Sequence, residues 1–375
     1  MITDSIGFIL LIFALGALLA VWFYKGKSSK KIERREKFTE GLREIVLGNR
    51  RRAMKILRET AIEDTNNAEA FIILGDLVRE DIGPRKAFQI HLGVANRGII
   101  SDSERVRVMK SLALDYEKMG DLENAADALS KALDAEPDLW TKEFMLEVLE
   151  KLGRWEQAFD LLSTFKKSDD QLEGQLALYK VMMGNVAAEN EKYHNARLLF
   201  KGAVRIDPEC PSAYMRIGDA YYAEGRIEDA VGWWTQFCQK FPRIAWSCFE
   251  RLERAAYDLG DFGRMITFYG DFISKQPDDY HAKATLSALF ERMGRIDDAV
   301  ATLRNVQSLP MEIELKLLDL LRRRDGVEGE AGELIGRIAA RSDDRCEYVC
   351  DACGYNSSGP MWYCFECGAW NSFGI

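Results

Sequence analysis

Residues 211–242 read PSAYMRIGDAYYAEGRIEDAVGWWTQFCQKFP and form the clearest copy of a unit that recurs along the 375-residue chain. In each half, apolar or small residues recur every three or four positions: Tyr214, Ile217, Gly218 and Tyr221 in the first, Ala230, Trp234 and Phe237 in the second. This spacing places them on one helical face, so the stretch predicts two amphipathic helices. Gly225 stops the first helix and Pro242 stops the second. The unit is therefore a helix hairpin.

Weaker copies of this hairpin lie on both sides of it. The small residue of the first helix recurs at intervals of 33 to 38 residues, at Gly41, Gly75, Ala113, Leu146, Gly184, Gly218, Glu253 and Ser287. The corresponding position of the second helix is alanine in seven of eight copies: Ala53, Ala87, Ala125, Ala158, Ala196, Ala230, Met265 and Ala299. We expect these two positions to face each other, because helices approach closely where side chains are small. The hairpins containing Leu146, Glu253 and Met265 break this pattern, and we expect them to be splayed.

This pattern resembles the tetratricopeptide repeat, whose period is about 34 residues. The predicted fold class is all-α, a tetratricopeptide-repeat superhelix with an N-terminal transmembrane helix and a small C-terminal rubredoxin-like zinc ribbon. Such an array buries apolar faces between neighbouring repeats and needs no single central core.

The chain has a formal net charge of −9, which argues against a nucleic-acid-binding protein, since that function requires a basic surface. Its positive charge is concentrated at residues 25–37, where seven Lys or Arg residues accompany two glutamates. We expect this segment to lie near anionic lipid headgroups.

Residues 6–24 carry no charge and are long enough to cross a hydrocarbon core of about 30 Å. A cleaved signal peptide fits less well, because Asp4 precedes the segment and Trp22 and Tyr24 end it. The basic flank on the C-terminal side predicts a single-pass helix with the bulk of the chain facing the cytoplasm.

Two cysteine pairs lie near the C-terminus. Cys350 and Cys353 form one Cys-x-x-Cys-Gly pair, and Cys364 and Cys367 form the other. Four thiolates in this arrangement can close a tetrahedral metal site. So short a segment cannot bury a stable core, so we expect the metal to supply its folding free energy. Cys346 lies outside the pairs and is predicted to be a bystander.

The pairs resemble the knuckles of rubredoxin-type zinc ribbons. The proline common in such knuckles is absent, because Asp351 and Phe365 occupy its position, and the intervening loop is short. Both departures favour zinc over a redox iron. We predict one zinc ion, with iron as the alternative. The scattered Cys210, Cys238 and Cys248 are predicted to be buried free thiols.

The order of parts predicts the following layout: an external N-terminus at 1–5, a transmembrane helix at 6–24, a basic juxtamembrane segment at 25–37, about eight repeats at 34–307, a degenerate capping hairpin at 308–341 and a metal-binding domain at 346–375.

This order, together with Tyr348, Trp362 and Trp370 around the four cysteines, resembles the lipopolysaccharide assembly protein B family of Gram-negative bacteria. The resemblance implies a non-enzymatic adaptor in the inner membrane. It also implies partners, namely the membrane-bound AAA+ protease FtsH and its client, the deacetylase of the lipid A pathway, whose degradation the family promotes.

The sequence contains no phosphate-binding loop, metalloprotease helix or nucleophile elbow. The histidines His91, His194 and His281 fall in three different repeats, and each is predicted to be a surface or interhelical residue. Two alternative functions stay open, a rubredoxin-like electron-transfer protein and a scaffold subunit of another envelope assembly system.

In tetratricopeptide arrays the first helix of each hairpin lines an inner groove, and helical spacing selects the residues that share its face. The predicted partner-binding residues are Met215, Asp219, Tyr222, Glu250, Arg254 and Tyr257. Aromatic and arginine side chains suit protein recognition. An alternative left open is that Tyr222 and Tyr257 pack between neighbouring hairpins.

Overall fold

A computed structural model describes residues 32–98, 100–165, 170–304, 310–326, 329, 332–334, 348–357, 363–369 and 373–374. The transmembrane helix predicted at 6–24 lies outside these ranges, as do Cys346, Trp362 and Trp370. Among the helices that the structure does describe, none is long and apolar enough to cross a membrane.

The chain divides into two compact units, Met1–Thr164 and Phe165–Ile375. The helices described in the first unit are α1 (residues 32–46), α2 (Arg50–Glu63), α3 (Ala68–Asp81), α4 (Pro84–Ala95), α5 (Asp102–Lys118), α6 (Leu122–Ala135), α7 (Leu139–Lys151) and α8 (Trp155–Ser163). They pair in chain order as four hairpins, and each of α2 to α7 packs against the next helix along the chain.

The second unit continues the pattern and adds a small sheet. Its described helices are α9 (Asp170–Glu189), α10 (Tyr193–Ile206), α11 (Pro211–Ala223), α12 (Ile227–Lys240), α13 (Phe249–Leu259), α14 (Phe262–Lys275), α15 (Tyr280–Arg292), α16 (Ile296–Arg304) and α17 (Met311–Asp325). A 3-10 turn, Pro242–Cys248, precedes α13. The strands β1 (Tyr348–Cys350), β2 (Asn356–Ser357) and β3 (Phe373–Gly374) form an antiparallel sheet in the order β2-β1-β3. The predicted tetratricopeptide array with a C-terminal ribbon is confirmed.

One contact recurs inside the hairpins. The small residue of the first helix lies against the side chain four positions after the alanine of the second helix. A Cβ atom added to Gly218 would come within 2.3 Å of the Trp234 ring, and one added to Gly184 would come equally close to the ring of Phe200. The sequence predicted that Gly218 faces Ala230, but the side chain nearest to Gly218 belongs to Trp234, one turn further along the helix. Gly218 has no side chain and so leaves room for the whole ring. The seven alanines themselves are completely buried.

Departures from the small-residue pattern have the expected effect. Among the hairpins from α3 to α16, α7/α8 and α13/α14 have the least extensive contact between their two helices. Leu146 lies in α7, and Glu253 and Met265 lie in α13 and α14. Bulkier or charged side chains at the crossing therefore hold these helices apart.

The residue that lies against the small residue of the first helix, a ring in Phe200 and Trp234, is a buried histidine in the second hairpin. We call this place in each hairpin the ring position. His91 Nδ1 lies 2.5 Å from Asp115 Oδ2, and its Nε2 lies 3.1 Å from the carbonyl oxygen of Ile72. The Arg79 guanidinium donates to the other Asp115 oxygen at 2.6 Å and to the carbonyl of Ser111 at 3.0 Å. His91 and Asp115 are fully buried, so this ion-pair network joins α3, α4 and α5 inside the first unit.

We predict that Gly218→Ala destabilises the second unit by about 1–3 kcal/mol, because overpacking against Trp234 has a cost of that size. Gly232 is the matched control: it is exposed in α12, and an added Cβ meets nothing within 4 Å. Gly232→Ala should stabilise by about 0.5–1 kcal/mol, since glycine weakens a helix interior. Urea unfolding followed by circular dichroism measures both, and equal midpoints for Gly218→Ala and the unmodified chain would contradict the packing.

Candidate metal centre

Two copies of one backbone turn carry the four cysteines. In the first, the N–H of Gly354 donates to the Cys350 carbonyl and the N–H of Cys350 donates to the Tyr355 carbonyl, both at 2.8 Å. In the second, Gly368 donates to Cys364 and Cys364 donates to Ala369, again at 2.8 Å. Gly354 and Gly368 have φ angles of 77° and 73°, a conformation that glycine adopts without a steric cost.

These turns bring the four sulfur atoms within 4.8 Å of one another. The Sγ atoms of Cys350 and Cys367 are 3.7 Å apart, as are those of Cys353 and Cys364. A tetrahedron of thiolates around zinc at 2.3 Å has edges of about 3.8 Å, so the arrangement fits a metal ion. Cys350 and Cys364 are buried, whereas Cys353 and Cys367 are exposed.

The proximity of the sulfurs governs their ionisation. The backbone N–H of Tyr355 bonds to Cys353 and lowers its pKa, but the neighbouring sulfurs, Cys367 first, together with some loss of solvation outweigh this and raise the pKa to about 12. The pKa of Cys367 is raised as well, although the N–H of Ala369 acts in the opposite direction. Four thiolates therefore need a cation between them, and binding of that cation displaces protons.

The ribbon is in contact with the helical array of the second unit. The ring of Tyr348 stacks on Trp246 with centroids 5.7 Å apart, and Trp246 stacks on His281 at 5.0 Å. Tyr280 packs beside His281 at 4.0 Å. Trp246 lies in the 3-10 turn before α13, so this irregular turn provides the surface on which the ribbon rests.

The three histidines have different surroundings. His91 is buried between helices and His281 is half-buried in the ring stack, while His194 is exposed. Burial lowers the pKa of His281, and the nearby Asp279 opposes that shift. The three scattered cysteines are buried free thiols, as expected.

The predicted partner-binding residues divide into two groups. Met215 is only 6% exposed and belongs to the core, so the prediction that it faces a groove is wrong. The reason is that α11 packs against α9, α10 and α12, which leaves little of its surface open. Tyr222 donates from its hydroxyl to Asp258 and packs at a tilt against Trp234 with ring centroids 5.6 Å apart, so it fills the seam between hairpins. Asp219 is held by Arg251 at 2.7 Å.

The residues predicted on α13 remain at the surface. Glu250 and Arg254 pair at 3.1 Å along the helix and are both exposed. Tyr257 is 75% exposed and touches Phe262 only edge-on. Together these three residues form the α13 stripe, an exposed row with an aromatic ring and both charges.

Comparison with known proteins agrees with this architecture. A model of the rubredoxin metal-binding domain matches residues 348–374, and tetratricopeptide models match residues 111–139 and 181–242. Lipopolysaccharide assembly protein B of Escherichia coli K12 is 21% identical over 379 aligned residues, which cover 97% of each chain. The protein of the same name from E. coli O157:H7 matches to the same extent. The resemblance noted in the sequence therefore extends over nearly the whole chain.

Solved structures that match the chain include a tetratricopeptide protein from Parabacteroides merdae, at 13% identity and a TM-score of 0.35, covering 76% of this chain and 98% of that one. The TPR2AB domain of yeast Sti1 is another, at 12% identity and a TM-score of 0.34, covering 82% of this chain and 98% of that one.

We predict about one equivalent of zinc per chain, falling to near none when Cys350 and Cys353 are both changed to serine, because two ligands are then lost from a site of four. Cys210→Ala, a buried thiol outside the cluster, should keep its metal. Elemental analysis of purified protein gives the stoichiometry. Retention of the metal by the double serine variant would exclude this site.

The ring stack should make stability depend on pH. Because burial lowers the pKa of His281, the folded chain disfavours its charged form. The stabilisation is complete above the ordinary histidine pKa of about 6.5 and is lost as pH falls through the lower folded value. Unfolding midpoints of the unmodified chain should therefore fall more steeply below pH 6.5 than those of His281→Asn. Identical pH profiles would contradict this prediction.

Proposed function

We propose that the chain is a membrane-anchored adaptor in lipopolysaccharide assembly that performs no chemistry of its own. In this proposal it faces the cytoplasm from the inner membrane, anchored by the segment at 6–24. It acts with an FtsH-type protease and promotes degradation of the deacetylase of the lipid A pathway.

One observation carries the proposal: the similarity to lipopolysaccharide assembly protein B, which covers 97% of both chains and spans both kinds of part, the helical repeats and the terminal metal ribbon. Repeats alone serve many unrelated proteins as binding surfaces. The combination of repeats with a terminal metal ribbon is more specific than the repeats alone, and the similarity extends over both.

In an adaptor, the array would hold the client and the membrane would hold the protease. The α13 stripe suits the first role, because Tyr257 and Arg254 are the residue types that provide most of the energy at protein interfaces. Anchoring in the same bilayer as the protease raises the effective concentration of one for the other.

The ribbon would depend on its metal. A bound zinc ion supplies the folding free energy that so small a segment lacks. Cys350, Cys353, Cys364 and Cys367 would hold it, and Tyr348 would keep the ribbon against the array. Loss of the metal would then release the ribbon while the helical repeats remain folded.

A second candidate is electron transfer through a bound iron, which the exposed sulfurs of Cys353 and Cys367 would favour. Iron thiolate absorbs visible light and zinc thiolate does not, so the absorption spectrum of purified protein separates the two functions.

We predict that Arg254→Glu and Tyr257→Ala each reduce capture of the client and lengthen the lifetime of the deacetylase in cells, with melting unchanged because both side chains are exposed. Tyr222→Ala should instead lower the melting temperature, since Tyr222 packs on Trp234. Removal of a contact residue at the centre of an interface has a cost of about 2 kcal/mol or more.

The matched control is Arg264→Glu on α14, an exposed arginine paired with Glu228 on α12, both in second helices of their hairpins. It should leave the deacetylase lifetime unchanged. Unaltered capture and lifetime in both α13 variants would remove this stripe from the proposal, and an unaltered lifetime after loss of the metal ligands as well would remove the adaptor function.

A further inference from the structure

Helix α1 has an outward face that no described hairpin covers. Its inner side packs through Phe38, Gly41 and Ile45 on the first hairpin core, where Gly41 lies against Leu57. The opposite side is exposed along one helical stripe, consisting of Ile32, Arg35, Glu36, Thr39, Glu40, Arg43, Val46 and Leu47. We call this stripe the outward face of α1.

Large apolar side chains lie at both ends of this face. Ile32 is 58% exposed at the start of the helix, and Val46 and Leu47 are 87% and 60% exposed at its end. Exposure of this extent removes the stabilisation that these side chains gain on burial. Since they are separated by three turns of polar residues, they do not form the contiguous apolar centre typical of a stable protein interface.

The middle of the face carries arginines without carboxylate partners. Within the described part of the chain, no ion pair or hydrogen bond engages the guanidinium of Arg35 or of Arg43. By contrast, Arg52 is paired with Glu40 and Glu44, and Arg50 with Asp81. Two unpaired guanidinium groups on this face thus accompany the carboxylate of Glu36 and that of Glu40, which Arg52 neutralises. The face itself lines an open depression of about 500 Å³ that runs along the helix.

The sequence before α1 supplies the second argument. Seven residues, 25–31, lie between the uncharged segment at 6–24 and Ile32. Seven residues span at most about 25 Å when fully extended. Helix α1 has 15 residues and is about 22 Å long. If the chain leaves the membrane at Tyr24, the connecting residues are long enough for both ends of the helix to touch the membrane surface.

We propose that the outward face of α1 lies flat on the bilayer, with Arg35 and Arg43 among anionic lipid headgroups and Ile32, Val46 and Leu47 inserted at the two ends. A helix lying in the membrane interface has these features, arginines that reach the lipid headgroups and apolar side chains that enter the headgroup region. The inference rests on the membrane anchoring in the proposed function and adds an orientation to it: the first hairpin is docked on the lipid surface.

Photo-cross-linking of the full chain in lipid nanodiscs tests this proposal. Benzoylphenylalanine would replace Val46, and Leu198 on α10, which is also exposed, would carry it in the control protein. Position 46 should capture phospholipid more strongly in nanodiscs containing phosphatidylglycerol than in nanodiscs of phosphatidylcholine alone. Position 198 should capture little lipid in either.

Charge removal provides the second measurement. Arg35→Gln and Arg43→Gln should each lower the equilibrium constant for docking about fivefold, the contribution of one basic side chain near an anionic surface, and lipid capture at position 46 should fall accordingly. Arg105→Gln on α5, another exposed arginine, should leave lipid capture unchanged.

Three outcomes would overturn the proposal: equal lipid capture at positions 46 and 198, capture of a second copy of the chain at position 46, or no response to the arginine changes. Failure of the chain to enter nanodiscs would overturn the anchor in the proposed function as well. Lipid capture is measured in the absence of client and protease. A variant that loses capture of its protein partners but still captures lipid would therefore contradict the proposed function and not the docking of α1.

Discussion

Close approach of two helices at a small residue is the contact on which the array depends. At Gly184 and Gly218 the absence of a side chain admits the whole ring of Phe200 or Trp234, and that ring then fills the space between the helices. Each hairpin contacts mainly its neighbours along the chain, so stability is a sum of local terms. Disturbance of one crossing is therefore felt at that hairpin and the next, and the array can contain splayed members such as α13/α14 without losing its form.

Those small residues are also the reason why much of the fold could be predicted from the sequence. Glycine and alanine at a fixed interval identify helix crossings, and the spacing of Cys350, Cys353, Cys364 and Cys367 identifies the metal cluster, because both patterns encode geometry directly. The side chains that contact each other depend on rotamers and on the neighbouring repeats, and the residue pattern of a single helix contains neither. The burial of Met215 was missed for this reason, and the seam position of Tyr222 was only one of two alternatives that the sequence left open. The outward face of α1 also needed the structure, since only the contacts show which arginines are unpaired.

The 3-10 turn before α13 shows how an irregular segment can be put to use. Here the chain does not pass directly into a regular helix but makes a tighter turn from Pro242 to Cys248, and the α-helix starts at Phe249. This change presents the indole of Trp246 to Tyr348 of the ribbon on one hand and to His281 of α15 on the other. The metal centre and the repeats thereby share one aromatic contact, so a rearrangement in either part can reach the other through a single side chain.

The buried network around His91 limits how this array can evolve. Repeat proteins lengthen by duplication of a hairpin. The ring positions of Phe200 and Trp234 would tolerate the copy, because Phe200 lies in an apolar pocket and the indole N–H of Trp234 donates to Met215 within the same hairpin. His91 differs, since it must meet Asp115 of the following hairpin, which also receives Arg79 from α3. Any hairpin inserted between these two would leave one copy of Arg79 or of Asp115 buried without its partner in the next hairpin, at a cost of several kcal/mol. The second and third hairpins are thus inherited together, as one module within a chain whose other repeats can be exchanged singly.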